Sequence, residues 1–398
     1  MGDVAQGNSK TIPVSADTFR RTRHVGTPAI SQDPERIKVV HTYGVGLHST
    51  DCDPNFGDPR WQQRQVLDFV DFAVEAERLG FDGITVTEHH ASSMTCPSPH
   101  LLLAAAAVRT SRIRLGTAVT VLPLYSPIRV AEEAGTLDLL SGGRFELGIG
   151  RGIPGEVELT VGRVLSEEEL MRRWVEGLEL LRIALTEGDF TFDGEFMKVV
   201  RPTVIATRPL QDPLPVWLGG ASLGTMAIAA RNGWSIMRNF GDSRQHREAF
   251  EHYLTVGAEH GHTLSGANFM VERFVAIGET EEQAEQNLTR LAREFRRFIA
   301  LYADGGKRPL AIRDGEVMVD HGGPAGARPA IAVAGTPDQI GESLRRTLEE
   351  TGARRLLVET FSREEMKLFA AEVLPALRAR GEGRSGRRSV GEMEEGLI

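Results

Sequence analysis

The chain has 398 residues, 46 basic and 55 acidic, giving a net charge of −9 at pH 7 with neutral histidines. That acidic balance excludes a simple nucleic-acid binder, which needs a basic stripe against the phosphates. A composition of 41% hydrophobic and 25% charged residues excludes disorder, and two cysteines, Cys52 and Cys96, can build neither a structural zinc site nor a disulfide framework.

Residues 1–35 mix Gly, Pro, Ser and charges without periodicity and read as an N-terminal extension with no apolar signal core. From Ile37, short apolar runs alternate with segments of helical period, the βαβα signature of a parallel sheet. The spacing predicts strands at 37–45, 83–87, 113–121 and 145–149, with helices following at 62–79, 98–110, 127–140 and 166–186. Leu101 to Val108, the longest apolar run, is too short to span a bilayer. Helix 127–140 is predicted to start with Ser126 as cap and Pro127 in its first turn, and to stop at Gly142 and Gly143. Its apolar face is read as Ile128, Ala131, Ala134, Leu137 and Leu140. Further strands are predicted at 215–218, 234–237, 269–277 and 355–359, and helices at 222–232, 244–260, 280–302, 337–351 and 363–378. Residues 151–165 and the Gly-, Pro- and Ala-rich 303–334 fit no simple element. Eight strands, each trailed by a helix, predict an α/β fold, a (β/α)8 TIM barrel with insertion loops over its C-terminal mouth. The domain plan is a single barrel over 36–378 between the 1–35 extension and a 379–398 tail. A cytoplasmic protein with neither a nucleic-acid nor a membrane partner is expected.

Three strand ends carry candidate chemistry. The second runs into Glu88-His89-His90, at the barrel end where catalytic residues collect, and a histidine there can move protons near neutral pH. A metal would need more ligands; His41 and His48 are conceivable, but no carboxylate or histidine ends strands five to seven, so none is expected. The fourth strand leads into Gly148-Ile149-Gly150-Arg151-Gly152. No helix opens at Gly152, so this is no dinucleotide fingerprint; the better reading is close backbone approach to a flat ligand, with Arg151 in the mouth or in a salt bridge. The fifth strand enters Gly219-Gly220-Ala221-Ser222-Leu223-Gly224-Thr225 and a helix. Either the helix N-terminus with Ser222 and Thr225 binds a phosphate, or Ser222 is simply its N-cap.

Together these residues resemble the bacterial luciferase-like, flavin-dependent monooxygenases. The resemblance is carried by Gly80-Phe81-Asp82-Gly83 before Glu88-His89-His90, by Gly116 through Pro123, and by Ser126-Pro127-Ile128-Arg129. It continues in Leu137-Asp138, in Ser141 through Phe145 into Gly148–Gly152, and in Gly335-Thr336-Pro337. It covers about 37–378 and implies a barrel, usually dimeric, that binds reduced FMN from a separate flavin reductase and uses dioxygen on a small organic substrate. It implies that His89 is catalytic with Glu88 beside it, and that Arg151 lies against the flavin. It also implies that Ala118 and Val119 pack on the ring, at a place where such barrels often carry a non-proline cis peptide. The loop residues Gly220, Ala221, Ser222 and Thr225 would hold the phosphate. Gly150 stands where bacterial luciferase has a reactive cysteine, which argues against a light-emitting subunit. Relatives often place a phosphate-binding arginine early in the helix after the fourth strand. Here that helix opens Ser166-Glu167-Glu168-Glu169, and only Arg172 or Arg173 could substitute. Alternatives on the same fold are a deazaflavin-dependent oxidoreductase and a non-catalytic flavin-binding partner subunit.

Overall fold

Parallel strands cannot be joined by tight turns, so each must be returned to the sheet by a crossover. The computed structural model describes residues 36–43, 58–90, 96–152, 156–239, 241–302, 312–313, 316–317, 319–320 and 332–379. The barrel strands are β1 (Lys38–Tyr43), β2 (Gly83–Val86), β3 (Arg114–Thr117), β4 (Phe145–Gly150), β5 (Val216–Gly219), β6 (Ser235–Arg238), β7 (Phe269–Ile277) and β8 (Arg355–Glu359). They pair in parallel in that order, and β8 pairs with β1 to close the barrel. The returning helices are α1 (Pro59–Leu79), α2 (Pro99–Ala107), α3 (Pro127–Ser141), α4 (Glu167–Thr186), α5 (Leu223–Arg231), α6 (Ser243–Glu259), α7 (Glu281–Tyr302) and α8 (Pro337–Thr351). A last helical stretch, Arg363–Ala379, contains a π-helical turn at Phe369–Val373.

Local chemistry sets the helix starts. Four of them, α1, α2, α3 and α8, open on proline, whose missing N–H would have had no partner there. Asp58, Ser166 and Asp242 accept N–H groups from the first turns of α1, α4 and α6.

Four sequence expectations need correction. Ser126 stands at the N-cap of α3 but its side chain makes no capping bond. The buried face of α3 is Val130, Ala131, Ala134, Leu137, Asp138 and Ser141, whereas Leu140 is 47% exposed. Asp138 turns the helix inward because its carboxylate accepts the Gln211 and Phe145 backbone N–H groups at 3.0 and 3.4 Å. Residues 151–165 contain a short helix, Glu156–Val161. Ala332–Gly335, overlapping the end of the 303–334 stretch read as irregular, is a strand on the C-terminal half of β7. An antiparallel hairpin, Phe190–Asp193 with Lys198–Thr203, was not expected. The 1–35 extension, His48, Cys52 and residues 380–398 lie outside the described residues.

Strand alternation divides the side chains between an inner wall and a layer facing the helices. Val39, Ile84, Leu147, Ile236, Val271 and Val358 face outward into the main core. Val40, Trp217, Met237, Met270 and Leu357 face inward and fill the middle of the barrel. At the closed end, Arg114 and Arg355 bracket the Glu146 carboxylate, and Arg355 stacks 4.5 Å from the centre of the Trp217 ring. Burial alone would raise the Glu146 carboxyl, but the two arginines outweigh it and hold it at about 2. The opposite end of the wall, where the strands finish, is the mouth. Among the described residues, no helix is long and apolar enough to cross a membrane.

Candidate active site

The floor of the mouth is built after β3. Ala118 and Val119, joined by a cis peptide bond, lie half-buried against the inner cluster, and Thr120–Val121 then pairs with Ile149 and Gly150 of β4. Val119 sits between two glycines. A Cβ on Gly150 would lie 2.2 Å from Val119 Cγ2, and one on Gly219 would lie 2.7 Å from Val119 Cγ1. Only glycine at both places admits the valine. A chain of hydrogen bonds supports this floor from below. Thr117 Oγ1 donates to the Gly148 carbonyl at 2.7 Å and accepts from Thr120 Oγ1 at 3.1 Å. Thr120 Oγ1 in turn lies 2.9 Å from His100 Nε2, whose Nδ1 lies 2.5 Å from Glu133 Oε2. The hydrogen bond from His100 holds the Glu133 carboxyl below its ordinary range. Sequence reasoning missed both residues, because nothing in α2 or α3 distinguishes them from solvated polar side chains.

The three residues after β2 take different roles. Glu88 is 3% exposed, and its carboxylate accepts the Val121 N–H at 2.9 Å and the Tyr125 hydroxyl at 2.6 Å. His90 Nε2 lies 2.6 Å from the same carboxylate, so Glu88 ties this histidine to the β3–α3 connection. The half-buried His89 donates its backbone N–H to the Cys96 carbonyl at 3.2 Å. The N–H of Ala118 reaches the Val86 carbonyl at 2.9 Å, which holds the end of β2 against the floor. His41, weighed as a metal ligand, is instead an outward-facing core residue. Its ring nitrogens meet the Thr42 carbonyl and Thr360 Oγ1 at 2.7 and 3.0 Å, and Phe72 and Phe81 pack edge-on to it.

Beyond β5, Ser222 is the N-cap of α5. Its hydroxyl accepts the Thr225 N–H at 3.2 Å and lies 3.0 Å from Thr225 Oγ1. Ser222 is exposed and Thr225 is buried. Gly220 donates its N–H to the Met237 carbonyl at 3.1 Å, and the buried Arg238 at the end of β6 donates to the Ala221 carbonyl. Arg238 thus clamps this loop, a role that its place after an apolar strand hid. Arg151 extends from β4 to an ion pair with Glu167, the salt-bridge alternative of the sequence reading. Arg172 and Arg173 turn toward the hairpin. Arg172 pairs with Glu195 at 3.5 Å, and Arg173 pairs with Glu169 at 2.9 Å and lies over the Phe196 ring. The structure therefore gathers Glu88, Ala118, Val119 and Gly150 at one mouth and sets the Ser222 loop beside β6.

Comparison with known proteins agrees with this architecture. Residues 52–355 match the luciferase-like monooxygenase family. The chain is 30% identical over 355 residues to 4-hydroxyprotoasukamycin monooxygenase of Streptomyces nodosus subsp. asukaensis, covering 83% of this chain and 89% of that protein. It is 39% identical over 173 residues to the uncharacterized protein y4vJ of Sinorhizobium fredii, where the match covers 43% of this chain and about half (48%) of the relative. The fold superposes on the oxygenating constituent of 3,6-diketocamphane monooxygenase from Pseudomonas putida, solved with FMN (TM-score 0.66, 21% identity, 85% of this chain and 98% of that one). It also superposes on an F420-dependent secondary alcohol dehydrogenase (TM-score 0.67, 16% identity, 86% and 99%). At these identities the two structures speak for the fold alone. With three quarters of its length matched and 89% of a 30%-identical relative aligned, the chain belongs to the luciferase-like monooxygenase family.

Proposed function

We propose that the chain is the oxygenating component of a two-protein system, taking reduced FMN from a separate flavin reductase and using dioxygen to oxygenate a small organic substrate. The observation that carries this reading is the floor itself. Val119 pressed between Gly150 and Gly219 makes an apolar platform beside a helix N-terminus capped by hydroxyls. The residues suit an amphiphilic cofactor with a flat ring and a phosphate. Ala118 and Val119 would carry the ring, while Ser222, Thr225, Gly220 and Ala221 would hold the phosphate at the positive end of α5. Arg151 would add charge to that site by exchanging Glu167 for the anion. When bound, reduced FMN supplies the electrons that activate dioxygen. The chain's own part is to position substrate, exclude water with the apolar inner wall, and move protons through His89. Glu88 positions His90 and the β3–α3 connection rather than meeting the reacting atoms. A homodimer is the proposed assembly, for which Leu101 on α2 and Leu139 and Leu140 on α3 offer exposed apolar surface.

Calorimetric titration of the full chain with FMN, riboflavin and a deazaflavin tests the cofactor. FMN is expected to bind at least ~10-fold more tightly than riboflavin, since hydrogen bonds to a charged group are each worth roughly 1.5–3 kcal/mol. Ser222→Ala combined with Thr225→Ala should shrink that gap. Equal affinity for FMN and riboflavin would overturn the phosphate site, and selective binding of the deazaflavin would replace oxygen transfer with hydride transfer.

A further inference from the structure

The inner wall carries two carboxyl groups that the cofactor reading does not use. Glu272 lies on β7 and Glu359 ends β8, and alternation from the inward-facing Met270 and Leu357 turns both into the barrel. Glu359 is 2% exposed, and its Oε1 has no hydrogen-bond partner among the described residues. The same holds for the buried hydroxyls of Thr42, Thr85 and Thr87 on β1, on β2 and just beyond it. Thr42 is level with Thr85, and it follows the His41–Val358 pair, so it sits beside Glu359. This is a band of polar groups in an apolar wall, and buried polar atoms are otherwise almost always paired.

The inward-facing cations lie elsewhere. Among the described residues, Lys38, Arg114 and Arg355 stand at the closed end around Glu146. Arg273, next to Glu272 in sequence, points outward, where its guanidinium reaches His246 of α6 and the Glu272 carbonyl. Burial raises the Glu272 carboxyl to about 7, and burial together with Glu272 pushes Glu359 well above the carboxylate range. Two acids thus face the mouth on the β7–β8–β1 side of the barrel, across from the Ala118–Val119 floor. The outward Arg273 offsets only part of the burial at Glu272, and neither carboxylate has an ion pair among the described residues.

We propose that Glu272 and Glu359 form the anchoring subsite for a cationic nitrogen of the organic ligand, a protonated amine or an N-alkylated ring, with the threonine hydroxyls of β1 and β2 around it. The proposal rests on the reading that an organic substrate enters this mouth, and it adds the chemical class of that substrate. A cation supplies a counter-charge, and a protonated amine also donates to the orphaned carboxyl oxygen, whereas a neutral isostere supplies at most a hydrogen bond and no charge.

The test is calorimetry on the FMN-loaded full chain with benzylamine, hexylamine and N-methylpyridinium, each beside its neutral partner, benzyl alcohol, hexanol and toluene. At least one cation should bind more tightly than its partner by about 10-fold or more, and Glu359→Gln or Glu272→Gln should remove about 10-fold of that affinity while leaving the neutral partner within about threefold. Neither amide substitution removes a packing atom, and circular dichroism verifies that each variant is folded. Failure of every cation to outbind its partner overturns the proposal, as does parental cation binding in both variants. The same titrations without FMN separate the two readings: cation binding by a chain that takes up no FMN leaves the subsite standing and removes the cofactor.

Discussion

Three donors converge on one buried carboxylate: the Val121 N–H at 2.9 Å, the Tyr125 hydroxyl at 2.6 Å and His90 Nε2 at 2.6 Å all meet Glu88. Glu88→Gln puts an amide NH2 among these donors and leaves at least one unsatisfied, at a cost of roughly 1–3 kcal/mol. Urea unfolding is expected to show that loss, and the Tyr125 phenol, held above its ordinary range by burial and by Glu88, should titrate closer to a free tyrosine. His89 and His90 should separate in the opposite sense. His89→Ala is expected to cut turnover by ~10² or more with FMN affinity within a few-fold, because losing a positioned acid–base group costs about 10²–10⁴. His90→Ala should lower stability while leaving more turnover than His89→Ala. Single-turnover rates beside melting temperatures decide it, and the reverse pattern would assign the proton to His90. The Glu-His-His cluster was legible in the sequence because it ends a strand. Its internal division was not, since which histidine takes Glu88 depends on where the β3–α3 connection passes. Glu272 was hidden for the opposite reason: inside the run Phe269–Ile277 it reads as one interruption of a buried strand, with no partner in sequence.

At the scale of elements, the helix boundaries were legible wherever a proline or a capping side chain marks them, as at Pro59, Pro127, Ser166 and Pro337. The face of α3 was misjudged because a buried aspartate, held by Phe145 on the next strand and by the distant Gln211, outweighed an apolar leucine. The hairpin at 190–203 and the strand at 332–335 escaped because runs of four to six residues carry too little period to read. The loop before α5 makes its own prediction. Arg238 holds the Ala221 carbonyl, and burial keeps its guanidinium below the ordinary arginine range. Arg238→Ala should free that carbonyl to turn toward the site, weakening FMN by about 10-fold and riboflavin hardly at all. A parallel loss of both affinities would mean that Arg238 supports the barrel rather than the phosphate loop. Gly150→Val is expected to be worse for the ring, since its first added carbon alone comes within 2.2 Å of Val119. Overpacking of this kind costs typically 1–3 kcal/mol, and fluorescence titration should show both flavins weakened together.

The whole molecule is a barrel whose strands were legible because parallel strands covered by helices read as short apolar runs. The charges inside it were not, and they set its pH behaviour. Glu146 is held at about 2 in the folded chain, so its ion pairs contribute fully above an unfolded value near 4.5 and are lost as pH falls toward 2. Glu146→Gln should therefore destabilise the chain at pH 7 by roughly 2–3 kcal/mol, with the difference vanishing at low pH. Glu272 has the opposite sign. Its carboxyl is raised to about 7, so above an unfolded value near 4.5 the unfolded chain ionises first and stability falls until pH passes 7. Glu272→Gln should be near neutral at pH 4 and more stable than the parent at pH 8, by on the order of 1–3 kcal/mol. A stability gained by deleting a carboxylate marks a group kept for binding rather than for folding. The central claim, oxygen transfer on a flavin held at this mouth, is tested most directly with labelled dioxygen. The full chain, FMN, a flavin reductase with its nicotinamide donor and a panel of organic amines are incubated under ¹⁸O₂, and products are read by mass spectrometry. The account predicts one labelled oxygen atom in the product and the other in water, with no product when oxygen is withheld. Product formed at full rate without oxygen, or carrying oxygen only from water, would contradict it.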